Sequence, residues 1–187
     1  MSDKNETLEN QAANTKKTWK ERIPTLIAIT TLILAVCATL ASFKAAGFGN
    51  KMVLSQSQAS DQWAYYQAKS IKETAYQTQR DAMELARLSL TTNDAAYREK
   101  IAAYDKEVAR YKKEKNEIMD EAKKLEAARD NFQIHNNRFG EALILLQIGI
   151  LFSSLSTISK NHVYWYAGAV SGMAGVAAFV RALILAP

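Results

Sequence analysis

IPTLIAITTLILAVCATLASF, residues 23–43, is a run of 21 residues without a charged side chain. As a helix rising ~1.5 Å per residue it is long enough to cross a hydrocarbon core of ~30 Å. Pro24 falls at its start, where a missing N–H is least costly. Two more runs of similar character lie toward the other end of the chain. Residues 142–158 are interrupted only by Gln147 and hydroxyls, and residues 164–185 carry one charge, Arg181, a turn from the end where it can snorkel to an interface. The five residues from Ser159 to Val163 leave room only for a tight helical connection. Trp19 and Tyr164-Trp165-Tyr166 read as interfacial aromatics on one membrane side.

The charges sit elsewhere. Residues 44–141 hold 17 of the 24 Lys and Arg and 15 of the 19 Asp and Glu, so apolar and charged residues are segregated rather than mixed around one core. One Cys excludes a disulfide scaffold, and two Pro with seven Gly exclude collagen-like and Pro/Gly-rich disordered chains. A cleaved signal peptide does not fit residues 23–43. The apolar run is too long, no A-x-A site follows, and Val36 before Cys37 fits a lipoprotein signal poorly. Cys37 therefore reads as a buried, inert residue of the first span.

Within the polar insert, Tyr97, Ile101, Tyr104, Val108, Tyr111, Lys115, Ile118, Ala122, Leu125, Arg129, Phe132, Asn136 and Phe139 recur at spacings of 4 and 3. That rhythm is the seam of a coiled coil. The earlier half offers a seam of the same rhythm: Leu54, Ser57, Asp61, Ala64, Ala68, Ile71, Ala75, Thr78, Ala82, Leu85 and Ser89. Its small residues suit close approach by the later helix. Residues 90–94, rich in Thr, Asn and Asp, have the chemistry of a turn and a helix start. Gly47, Gly49 and Gly140 mark the junctions between spans and insert, where a bend is tolerated. Lys115 and Asn136 either fix the register of the seam or, for Lys115 and Arg129, snorkel off its edge.

The expected fold is all-α: three transmembrane helices plus a long antiparallel coiled-coil hairpin between spans one and two. The expected divisions are a polar and basic tail at 1–22, spans at 23–43, 142–158 and 164–185, and the hairpin at 44–141. Lys16, Lys17, Lys20 and Arg22 against Glu21 place the N-terminus in the cytoplasm by the positive-inside rule, and the hairpin outside. Arg129 and Arg138 argue the other way, although long loops largely escape that rule.

No catalytic, cofactor-binding or metal-ligating set emerges. His135 and His162 stand 27 residues apart, His135 reading as an interfacial polar residue and His162 as a loop residue. Glu114, Glu117, Asp120 and Glu121 alternate with Lys as a solvated face does. An enzyme, a nucleic-acid binder and a small-molecule substrate are accordingly not expected, the basic excess of +5 being dispersed. Gln147 reads as a helix–helix contact. Gly168, Gly172 and Gly175 give the third span a small-residue face. Gly149 with Ser153 does so for the second span, and Ala28, Thr31, Ala35, Ala38 and Ser42 for the first. Such faces serve packing within the chain or between copies.

Residues 61–72, DQWAYYQAKSIK, stand apart. With Ala64, Ala68 and Ile71 in the seam, Trp63 and Tyr66 point elsewhere, with Ser70, Glu73 and Tyr76 continuing their side. Asp61, Tyr65, Lys69 and Lys72 form a charged flank, with Lys69 placed to lie over Tyr65. This marks Asp61, Gln62, Trp63, Tyr65, Tyr66, Lys69, Ser70 and Lys72 as a candidate contact with another subunit or membrane protein. The competing reading is that the aromatics wrap the other arm or rest on lipid headgroups.

The run DQWAYYQAKSIK, and the layout of one span, an alanine-rich charged insert and two spans opened by Tyr164-Trp165-Tyr166, resemble an uncharacterised bacterial membrane family, domain of unknown function 4337. The resemblance covers roughly residues 16–187 and implies a multi-pass protein of the bacterial inner membrane, the hairpin then being periplasmic. It carries over no activity, cofactor or substrate. The single Lys160 departs from the more basic connection expected between the last two spans. The expected role is a non-enzymatic membrane protein, in contact with the lipid bilayer, that forms a homo-oligomer or binds a membrane-protein partner. An oligomeric channel or transport accessory, using Thr30, Thr31, Thr39 and Ser42, is the alternative.

Overall fold

In the computed structural model the described residues are 2–89 and 94–186, with side chains described from residue 24 onward. They form α1 (Ser2–Leu88), α2 (Asp94–Ser159) and α3 (His162–Ile184), with no strand among them. Each helix contains a stretch long and apolar enough to cross a membrane. The side chains of the tail at 1–22, Trp19 among them, and the turn expected at 90–94 apart from Asp94, lie outside what is described. Two expectations change. Pro24 lies inside α1 rather than at its first turn, and both span-to-insert junctions are uninterrupted helix through Gly47, Gly49 and Gly140.

The chain divides into two units, residues 1–49 with 133–187, and residues 50–132. In the first unit each helix buries one stripe at helical spacing. On α2 it is Ala142, Leu146, Gly149, Ser153 and Ser156, and on α3 it is Gly168, Gly172, Gly175, Phe179 and Ala182. These stripes meet at backbone distance. A Cβ on Gly168 would lie 2.8 Å from the Gly149 carbonyl oxygen and 2.9 Å from the Ser153 nitrogen, and one on Gly175 would lie 2.8 Å from the Leu146 nitrogen. A Cβ on Gly172 would run into Leu34 of α1 at 2.7 Å. The glycine faces are thus in close contact inside the chain. On α1 the buried stripe is Ile27, Leu34, Ala38 and Ala41, while Ala28 and Ser42 of the expected face are exposed. Leu34 fills the space that Gly172 leaves.

Above this contact the packing becomes aromatic. Phe139 is fully buried, stacked 5.7 Å from Phe48 and edge-on to Phe179 at 6.0 Å. His135, expected at an interface, is instead 5% exposed with its ring 5.1 Å from Phe48. Its spacing of 4 from Phe139 puts both on one face of α2. Polar groups close the packing: Trp165 Nε1 donates to Thr30 Oγ1 at 3.3 Å, and Ser171 Oγ donates to the Leu145 carbonyl at 2.9 Å. Gln147, expected in a helix–helix contact, is exposed. The α2–α3 connection turns on Lys160, at φ 53, followed by Asn161, whose side chain accepts from the Val163 N–H as the N-cap of α3. The left-handed position suits Gly better than Lys.

In the second unit the positions of the later rhythm are turned inward. Every position from Tyr97 to Phe132 is buried or half-buried, with Tyr111, Ile118 and Ala122 the most enclosed. The earlier seam is corrected. All eleven expected positions, Leu54 through Ser89, are exposed. The face turned inward is two residues earlier: Met52, Ser55, Ala59, Gln62, Tyr66, Lys69, Glu73, Tyr76, Arg80, Met83 and Arg87, all buried or half-buried. Rhythm is kept and phase shifted, so the larger and more polar stripe is inside.

Two substitutions separate tight from open glycines. Gly168→Val should lower the thermal unfolding midpoint in detergent, a loss of roughly 1–3 kcal/mol, because two of the three colliding atoms are backbone. Gly47→Ala, with nothing within 4 Å of the added carbon, should be neutral or up to ~1 kcal/mol stabilising. Equal midpoints for the two would contradict the close α2–α3 contact. Lys160→Gly should raise the same midpoint by relieving the left-handed residue, by about 0.5–1 kcal/mol.

Candidate functional site

The run at 61–72 is helical throughout, so its twelve side chains distribute around α1 at ~100° intervals. Trp63 Nε1 donates to Glu126 Oε1 of α2 at 2.8 Å, and the Trp63 ring meets Tyr66 edge-on at 5.6 Å. Lys69 Nζ pairs with Glu114 at 2.5 Å and lies over the rings of Tyr65, at 5.1 Å as its spacing implied, and Tyr111, at 5.3 Å. Ser70 accepts from Lys115 Nζ at 3.4 Å. Of the eight candidate residues, Gln62, Trp63, Tyr66, Lys69 and Ser70 are half-buried, while Asp61, Tyr65 and Lys72 remain exposed. The aromatics face the other arm, the competing reading of the two. The outward-contact assignment for Trp63, Tyr66 and Tyr76 is corrected, since Tyr76 stacks 5.6 Å from Tyr111. The cause is the shifted phase of the seam.

The residues that sequence reasoning missed are the polar partners inside this seam. Lys115 Nζ pairs with Glu73 Oε2 at 2.7 Å, with side chains only 16% and 11% exposed, and it sits 5.2 Å over the Tyr66 ring. Lys115 thus does not snorkel off the edge. Arg129 reaches Gln56 at 2.6 Å, Arg80 reaches Asp105 at 3.3 Å, and Arg87 reaches Asp94 at 3.2 Å. As the α1 number rises from 56 to 87, the α2 partner falls from 129 to 94. The available signal was charge: opposite signs stand at facing positions in this phase and not in the Ala-rich one.

The hydrogen bond from Lys69 holds the Glu114 carboxyl below its ordinary 4.5, outweighing the opposing effect of burial. The hydrogen bonds with Glu114 and Tyr65 raise Lys69 above 10.5, and that with Glu73 raises Lys115 above 10.5. The pairing thus favours the ionised forms of Lys69, Glu114 and Lys115. Among the described residues no group of three His, Cys, Asp or Glu stands together to hold a metal ion.

The described residues are all helical in their regular structure, with three helices long and apolar enough to cross a membrane, and that is the class these features define. Residues 24–185 match the family described as Domain of unknown function (DUF4337), and the chain belongs to that family. No curated protein and no solved structure matches the chain.

The seam charges give pH limbs of opposite sign. Glu114, depressed when folded, contributes stability above its unfolded value that is lost as pH falls through the folded one. Lys69 and Lys115, raised when folded, contribute below their unfolded value and lose it as pH rises through the folded one. Urea midpoints followed by circular dichroism should therefore be level near neutrality and fall at both extremes. Lys69→Met should flatten the acid limb; an unchanged limb would count against the Glu114 pairing. At neutral pH, Lys115→Met should cost about 1–3 kcal/mol because it strands Glu73, and Glu73→Leu in the same chain should recover most of it.

Proposed function

We propose that this chain is a non-enzymatic integral membrane protein that acts as a scaffold, presenting an antiparallel coiled-coil hairpin whose outer face receives a partner helix. The membrane part rests on exposed apolar surface. Leu32, Ile33, Val36, Leu40 and Phe43 of α1 are each more than half exposed, and only 22% of the apolar window of α1 is buried within the chain. Water does not tolerate a contiguous apolar surface of that extent, whereas hydrocarbon does. In this reading the N-terminus is cytoplasmic and the hairpin lies on the opposite side.

The partner surface is the single observation that carries the scaffold reading. Leu54, Ala64, Ala68, Ile71, Ala75, Ala82 and Leu85 stand, with Ser57, Asp61 and Thr78 between them, on a 3–4 rhythm of α1 yet are exposed, Ile71 at 70% and Leu85 at 69%. A 3–4 stripe matches another helix in a way that no flat surface does, and its alanines permit close approach. A second copy of the chain is the first partner to test. The channel alternative draws less support: Thr30, Thr31 and Thr39 donate their hydroxyl hydrogens to carbonyls of their own helix.

A photo-reactive side chain at Ile71 or Leu85, used in native membranes, should give interchain products, and one at Tyr76 or Tyr111 only intrachain ones. Ile71→Lys should remove the interchain product while changing stability by no more than about 0.5 kcal/mol, as befits an exposed site. Absence of interchain products from both outer positions would sink the scaffold reading.

A further inference from the structure

Arg138 of α2 and Arg181 of α3 line one cavity of about 340 Å³ in the first unit, together with Asn137 and Glu141. Helical spacing explains the convergence. Ile134, Arg138 and Glu141 recur at i, i+4 and i+7 on α2, and Ala178, Arg181 and Ala182 at i, i+3 and i+4 on α3. Neither arginine, nor Glu141, has an ion-pair partner within 4 Å among the described residues, although most other arginines described here are paired. Two guanidinium groups face one carboxylate, which leaves an excess of one positive charge. The Asn137 amide adds a neutral donor, and Ile134, 49% exposed, with Ala178 and Ala182 gives the cavity an apolar wall.

We propose that this cavity binds a phosphate group, with Arg138 and Arg181 as the guanidinium forks and the apolar wall receiving the glycerol and first acyl carbons of an anionic phospholipid. Guanidinium forks match phosphate oxygens in bidentate fashion. Both arginines flank apolar runs close to where a headgroup stands, at the start of the α2 run and the end of the α3 run. The lipid source rests on the membrane reading given above; the phosphate chemistry does not. Glu141 tunes the site, its carboxylate disfavouring phosphate.

Native mass spectrometry of the full chain in neutral detergent, titrated with phosphatidylglycerol, phosphatidylcholine or inorganic phosphate, tests this. Phosphatidylglycerol should bind in preference to phosphatidylcholine. Arg138→Gln and Arg181→Gln should each weaken it about fivefold, the scale of one interfacial basic residue. Glu141→Gln should strengthen it, and Lys44→Gln, the same charge loss outside the cavity, should leave it unchanged. Circular dichroism confirms that each variant is folded. Equal weakening by Lys44→Gln would mean diffuse attraction and overturn the site, as would a wild-type chain without preference between lipids. Inorganic phosphate competing at the same concentration as the lipid would keep the phosphate site and overturn the lipid. A chain recovered outside the membrane fraction defeats the membrane reading alone, and the inorganic phosphate titration then decides the cavity.

Discussion

A helix can bury only a narrow stripe against one neighbour, so each long helix here is defined by which stripe goes in. In the unit of residues 50–132 that choice is governed by charge pairing. Lys115 stands on the buried face of α2, and an ammonium in a seam requires a carboxylate opposite it. Glu73 supplies one at 2.7 Å, and placing Glu73 inside sets the phase of α1 along its length. Lys69 then falls against Glu114 and Tyr76 against Tyr111. The alanine-rich stripe is left outside as a consequence.

The other unit is governed by backbone distance instead. There the helices approach until their backbones are in close van der Waals contact. Gly149 and Gly168 allow that contact at carbonyl distance, and Ser171 and Trp165 add hydrogen bonds across the helices. The two units thus obtain specificity by opposite chemistry, paired charges in one and missing side chains in the other. Phe48, His135 and Phe139 form a ring-stacked layer in the latter unit, at its boundary with the charged sequence.

The aromatic run at 61–72 shows why a distinctive stretch need not be an outward-facing one. Trp63 and Tyr66 are large enough to span the gap between arms while their polar atoms or ring faces meet Glu126 and Lys115. They line the inside of the pair, and the plain residues Ala64, Ala68, Ile71 and Ala75 form the surface.

Local composition by itself determined the helical class, the position of the three apolar runs and the 3–4 rhythm of both arms, because helix length and periodicity depend on residues close in the chain. It also determined the buried face of α2, where tyrosine, isoleucine and leucine leave no competing stripe. The phase of α1 was decided only by tertiary structure. Its Ala/Leu/Ile stripe and its Gln/Tyr/Lys/Glu stripe have the same rhythm, and hydrophobicity favours the wrong one. The polar stripe wins because its partners lie on α2, from 7 to 73 residues away, in pairs such as Glu73–Lys115 that no local pattern displays. The same holds for Arg138 and Arg181, which share a cavity only because α2 and α3 pack side by side.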